Sequence, residues 1–458
     1  MMVVIHTKNN HIKDREYIYD VVFSYFWGLE YEIVYEERDN LALEVEGNHF
    51  FIDDSFFQMD ESIWLKEESL PKQPLQKIEL PDDIKDAAVE KILPVIYGRQ
   101  GIKDIFSEDG KMCFLDIFGS AFFMLTRYEE VVKDDKDEYD RFPAKASLAY
   151  QEGFLERPII NEYLEILWQW LIKYEVNLKR KKRSFSIIPT HDVDHPLWGL
   201  NVSNFIKLKV LMGDLIKRCS IKRFIFRLKE IYGLVIKNGV NSYNTFEEIM
   251  NMDEGAGLKG IYFLMNQMGK SDLDGNYDIN DKRIQEIIKS ITQRNHVIGL
   301  HPSFCTYKSK ENLQAEVDSL KKFLGVTSCD KFGARQHFLR WEYPTTWQIY
   351  NEAGINYDMT VGYADWAGYR CGTCYEYPVF NVKSHKRLDL VEYPLIVMDC
   401  TIFERQYMGL SENDAISKVL YLREQCKKYG GNFVILWHNT SFMLDKNWNV
   451  YKHAINEV

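Results

Sequence analysis

No stretch of the 458-residue sequence reaches the ~18 uninterrupted apolar residues of a membrane-spanning helix, so none is expected to cross a bilayer. A leader is equally hard to find. "MMVVIHTKNNHIKDREYIY" has a short apolar run, no basic n-region and no small-residue cleavage site, and does not read as a signal peptide. Cysteine is sparse, with eight residues scattered along the chain. Without an export signal they are expected to be reduced thiols rather than a disulfide framework, and a cytoplasmic location follows by default. Positive charge is in deficit: 57 lysines and arginines against 68 acids give a net charge of −11, which leaves the whole protein no electrostatic reason to bind nucleic acid. Proline is scarce at 12 residues while 46% of the chain is hydrophobic, which excludes a disordered chain.

What is present divides in two. Alternation in "YEIVYEE" and "LALEVEGNHFFI" predicts short half-buried strands. Helical patterns follow in "LDIFGSAFFMLTRYEEVV" and in "IINEYLEILWQWLIKY", where Ile160, Tyr163, Leu164, Leu167, Trp168 and Leu171 share one face. "KDDKDEYD" between them reads as a solvated charged loop. The basic run "KRKKRS" has no interleaved aromatics and is expected to be a connector, placing a small α+β domain at 1–180 and a second domain at 184–458.

In the second part seven apolar runs alternate with amphipathic segments: "FSIIPTHDVD", "GIYFLM", "HVIGLH", "KFGARQH", "INYDMTV", "VEYPLIVM" and "NFVILWH". Such alternation argues for a parallel α/β sheet closing into a barrel. In these folds chemistry collects at the carboxyl ends of strands. Asp192 and Asp194, His301, Arg335 with His337, and His438 all sit at such ends.

Period-two alternation puts Asp192 and Asp194 on one face, with His191, Val193 and His195 on the other. Two carboxylates that close need a cation or a shared proton. A divalent metal on one, with the other as general base, meets that need; capping of the next turn by the pair is the structural alternative. His301 then becomes the obvious second ligand, since imidazole and carboxylate together suit zinc.

"THDVD", "HVIGLHPSF", "GARQHF" and "VILWHN" occur in the order and strand context of the polysaccharide deacetylases, carbohydrate esterase family four, which the chain resembles from about residue 184 to its end. The preceding "LDIFGSAFFMLTRYEE…RFPAKASLAYQEGFLERPIINEY" looks like the N-terminal domain of a bacterial branch of those proteins. The resemblance implies a distorted (β/α)7 barrel that removes an N- or O-acetyl group from a carbohydrate in bacterial surface-polysaccharide metabolism. Carried over by motif, Asp192 is the base, Asp194 and His301 bind metal, and Arg335 orients the base. Asp358 matches an aspartate of the fourth motif, and His438 is the general acid. Leu436 lines the acetyl-methyl pocket, and Trp366 is a loosely aligned substrate contact. Zinc is the expected metal.

One position departs from the family. Its second metal histidine, four residues after the first, is Cys305 here. A substitute ligand is therefore expected from among His195, Ser303 and His337, with cysteine ligation or loss of the metal as alternatives. His296 matches a non-ligand position. If the metal is lost, a catalytically silent carbohydrate-binding protein, or a metal-free hydrolase using Asp192 and His438, is the competing expectation.

Two further features stand apart. "CGTC" at 371–374 has redox spacing without a thioredoxin-like context and is expected to be a loop with incidental thiols. The stretch at about 200–240 carries nine lysines and arginines against Asp214 and Glu230. It is expected first as a helical excursion packed on the barrel, and second as a peripheral contact with anionic membrane.

Overall fold

The computed structural model describes residues 2–174, 176–235, 239, 241–266, 271–275, 277–327 and 331–456. In its first sheet, of five strands, Met2–Thr7 lies between Glu30–Tyr35, to which it is parallel, and the central Leu41–Val45, to which it is antiparallel. Leu41–Val45 turns back on Asn48–Ile52 through Glu46 and Gly47, both at positive φ (51° and 78°), the conformation of a two-residue hairpin loop. Helices Ile117–Leu125 and Ile159–Lys173 follow, and the one-faced spacing of the second buries Ile160, Tyr163, Leu164, Leu167 and Trp168.

The second sheet starts at Ser186 and has nine strands. In spatial order they are Tyr377–Asn381, Lys386–Glu392, Tyr357–Asp358, Gly333–Ala334, Val297–Leu300, Ile261–Leu264, Ser186–Val193, Asn432–Leu436 and Val397–Met398. All pairings are parallel except the edge pairing of Tyr377–Asn381 with Lys386–Glu392. Nine strands replace the expected seven for two reasons. The 377–381 strand folds back as a hairpin, and the run "VEYPLIVM" divides at Pro394, which has no amide hydrogen to give a ladder.

The pairing order is linear, and among the described residues no strand pair joins its two ends. Four residues, 393–396, carry the chain across instead. Tyr393 N still donates to Asp358 O at one side (2.9 Å), and Ile396 N already donates to Val434 O at the other (3.1 Å). Four residues span at most ~14 Å, so the sheet curls strongly. A small apolar cluster fills the concave side, with Phe263, Met359, Met398, Val434 and Leu436 from strands far apart in the order.

A larger core runs through both regions of the chain. Buried polar bonds reinforce it: Arg370 Nε donates to Glu130 Oε1 (3.0 Å), and Arg127 Nη2 donates to Tyr363 Oη (3.2 Å). "KDDKDEYD" is a loop with most of its charged side chains exposed, and its last residue also bonds to the second region of the chain. Asp140 accepts from Arg340 Nη2 (2.7 Å) and from Tyr307 Oη (3.0 Å).

The expected packed excursion is also corrected. Helices Asn204–Ile216 and Ile221–Gly233 form a hairpin in which Leu211, Asp214 and Glu230 are the buried residues, while most of the apolar side chains face out. Lys237 and Val240 of that stretch lie outside the described residues.

Candidate functional site

Strand Ser186–Val193 enters the curled sheet with its last residues alternating, and the alternation persists one residue beyond it. His191 turns outward, fully buried, with Nδ1 2.9 Å from Trp437 O and Nε2 3.5 Å from Asp253 Oδ2. Asp192 and Asp194 turn inward. Arg335, buried just past the Gly333–Ala334 strand, three places along the sheet, donates from Nη1 to Asp192 Oδ1 (3.2 Å) and Thr190 Oγ1 (2.6 Å), and from Nε to Met359 O (2.8 Å). These fixed acceptors aim the guanidinium at Asp192.

Three imidazoles converge on Asp194. His301 Nε2 is 3.2 Å and His337 Nε2 3.5 Å from its Oδ1, and His438 Nε2 is 3.7 Å from its Oδ2. Each ring has its other nitrogen tied to an acceptor. His301 Nδ1 meets Arg335 O at 2.6 Å, His337 Nδ1 meets Asp274 Oδ1 at 3.0 Å, and His438 Nδ1 meets Asp399 Oδ1 at 2.8 Å. A carbonyl or carboxylate oxygen only accepts, so Nδ1 carries the hydrogen in all three and Nε2 is turned to the site. Partners of this kind are what orient metal-binding histidines.

The electrostatics ask for a cation. Burial alone would push the Asp194 carboxyl up, but His337, His301 and His438 outweigh it and hold it well below the usual carboxylate range. Burial likewise disfavours a charged His301, yet Asp192 and Asp194 pull it upward, and Asp399 with Cys400 does the same for His438. Asp194 Oδ1 and His301 Nε2 are nevertheless both buried and without a well-formed hydrogen bond, so a cation between them would satisfy both. Asp194, His301 and His337 offer ligand atoms within 4.8 Å of one another, and an Asp-His-His set with room for a further ligand suits zinc. These residues fit the metal.

Of the candidates for the third ligand, only His337 is in this group. Cys305 is exposed, His195 is exposed, and Ser303 Oγ is bonded to Glu316 Oε1 (2.6 Å). The structure thus brings together Asp192, Asp194, His301, Arg335 and His438. Leu436, two residues before His438, lies in the inner apolar cluster beneath them. It does not bring Trp366, whose indole donates to Glu156 Oε1 (3.1 Å) and packs edge-on against Tyr150. The motifs do not point to Asp274 or Asp399, which hold His337 and His438. Asp399 directly follows the run "VEYPLIVM" and the strand-end rule reaches it; Asp274 sits in a polar loop with no such signal. Beside Asp194 opens a cavity of about 210 Å³ lined by Trp198, Leu200, Tyr243 and Tyr277.

Asp358 lies deeper, paired with Glu392 in full burial. Trp347 Nε1 is 3.2 Å from a carboxylate oxygen of each. Burial raises Asp358 to about 6 from 3.8, and burial together with the Asp358 charge raises Glu392 further, so the folded pair holds a proton that the unfolded chain releases. The native state therefore binds more protons between pH 3.8 and about 6, and this contribution to stability falls as pH rises through that window. Glu392→Gln is expected to gain stability relative to the parent as pH rises from ~4 to ~7, measured by urea unfolding at each pH. A constant difference would contradict the shared proton.

A family model, "Family of unknown function (DUF7033)", matches residues 3–175. No curated protein matches the chain. Among solved structures, one from Mycobacterium smegmatis described as a polysaccharide deacetylase is 14% identical, covers 60% of this chain and 84% of its own, and has a TM-score of 0.38. An allantoinase is 14% identical over 59% and 82%, with a TM-score of 0.35. A structure from Pseudomonas aeruginosa PAO1, also described as a polysaccharide deacetylase, is 14% identical over 62% and 89%, with a TM-score of 0.34.

Proposed function

We propose that this chain is a metal-dependent hydrolase that removes an acetyl group from an acetylated carbohydrate, working at the rim of a (β/α) barrel with an N-terminal domain at 1–180. The carrying observation is the convergence of three oriented imidazoles on Asp194, with Asp192 held beside them. The four motifs that resemble the deacetylases meet at this point, and the 393–396 crossing with its inner apolar cluster supports the barrel.

Asp194, His301 and His337 would hold a divalent ion, zinc by their donor set. When bound, such an ion supplies positive charge that polarises an acetyl carbonyl and acidifies water. The chain's own groups do the rest. Asp192 has Oδ1 fixed by Arg335 and Oδ2 3.7 Å from His301 Nε2, so it faces the cluster and takes the proton of the attacking water. Asp399 holds His438 charged, and its Nε2 hydrogen goes to the departing amine or alcohol. Leu436 and the apolar floor receive the acetyl methyl.

The test is acetate release by the full chain from chitooligosaccharides and from O-acetylated xylan. Release is expected to stop on chelation and return with zinc. Binding of these sugars without acetate release by the zinc-loaded protein would favour the silent carbohydrate binder, and chelator-resistant release would favour metal-free hydrolysis.

A further inference from the structure

The hairpin of helices Asn204–Ile216 and Ile221–Gly233 is built inside out. In a soluble protein the apolar stripe of a surface helix turns to the core. Here Phe205, Leu208, Met212 and Ile216, at i, i+3, i+7 and i+11, form one face of the first helix, and all are exposed, Phe205 at 76% and Ile216 at 67%. In the second helix Ile221, Ile225, Leu228 and Tyr232, at i, i+4, i+7 and i+11, repeat the pattern, with Ile221 at 66% and Tyr232 at 64%. Asp214 and Glu230 lie nine residues after Phe205 and Ile221, half a turn round from each stripe, and both are buried. The acids are turned to the protein and the hydrophobes to solvent.

Charge follows the same arrangement. Asp214 is paired with Arg218 (2.8 Å), and Glu230 is paired with Arg227 (2.7 Å) and also bonded to Ser242. That leaves Lys209, Lys217, Lys222, Arg223 and Lys229 exposed with no acid of the hairpin exposed to offset them. This lies on a protein whose net charge is −11. The hairpin is rooted at the site: the segment after Asp194 leads directly into it, and Trp198, which lines the cavity beside Asp194, stacks under Arg227 at 4.5 Å.

We propose that this hairpin is a membrane-docking element that seats the protein on an anionic bilayer surface, its two apolar stripes in the acyl boundary and its lysines and arginines among the headgroups. An apolar face ringed by exposed positive charge complements a negatively charged lipid surface on both counts. No helix among the described residues is long and apolar enough to cross a membrane, so the attachment is peripheral. The inference stands on the hairpin and is independent of the chemistry read at the site.

The test is co-sedimentation of the full chain with vesicles, phosphatidylcholine alone or with phosphatidylglycerol added, at low salt and at about 1 M salt, where screening extends only ~3 Å. Binding is expected to phosphatidylglycerol vesicles at low salt, with much less to phosphatidylcholine. K217E/K222E/R223E is expected to weaken it at least about a hundredfold, at about fivefold per removed charge. F205S/I216S/I221S is expected to abolish it, while circular dichroism and thermal unfolding show both variants folded. Equal binding by parent and variants would overturn the proposal, as would no binding to either vesicle. A discrete oligomer in sedimentation velocity that F205S/I216S/I221S dissociates, without vesicle binding, would assign the face to a second copy of the chain and also overturn it. Vesicle binding is read without acetate release, so either outcome leaves the hydrolase reading to its own test.

Discussion

His337→Ala is expected to yield folded protein with far below one equivalent of zinc and acetate release cut on the order of 10³-fold, while Cys305→Ser keeps both. The two substitutions separate position 305 from position 337 as the source of the third ligand. In the resembled family the second histidine lies four residues after the first, where this chain has an exposed cysteine. The imidazole that enters the group comes instead from the next strand, its Nδ1 on Asp274. Asp274→Asn keeps a hydrogen-bonding oxygen but no longer charges the imidazole's partner, and is expected to weaken zinc binding ~10–100-fold, read by competition with a chelating dye. Zinc retained at one equivalent in His337→Ala would remove the proposed ligand set, whatever the substrate.

Asp192→Asn is expected to keep its zinc and lose ~10²–10⁴ of the turnover, as removal of a general base does. The asparagine oxygen still accepts from Arg335, so the buried guanidinium is not stranded. His438→Gln is expected to lose a similar factor on a sugar amide but much less on an aryl acetate, whose leaving group departs without a proton. Asp192→Asn is expected to lose equally on both. Steady-state kinetics on the two substrates, with elemental analysis of each variant, tests the division of labour. Equal loss by both variants on the aryl ester would deny His438 its role as acid.

The pairing of motifs with strand ends was readable because a parallel sheet delivers the carboxyl end of every strand to one rim. Asp192, Asp194, His301 and His438 needed only that rule and the period of two. The sequence leaves His337 level with His195 and Ser303 as the substitute ligand, and the reason is local. Just past it Phe338 and Leu339 take positive φ (61° and 53°), and "QHFLR" contains no glycine to announce such a turn. The antiparallel edge strand and the 393–396 crossing were also hidden, because both depend on which distant segment lies alongside. In the hairpin the apolar period was plain, but period alone does not say whether a stripe faces the core or the solvent.

The bracing of the rim by the N-terminal part has a consequence for how the protein diverges. Arg340 donates to Tyr139 O and Asp140 Oδ2 while its guanidinium lies over Phe304 and Tyr307, and Arg141 Nη1 reaches Phe338 O beside His337. Two regions two hundred positions apart thus hold one turn. Among descendants of this chain, positions 140 and 340 would change as a matched couple, and a transplanted C-terminal half would bring an unsupported turn to its new host.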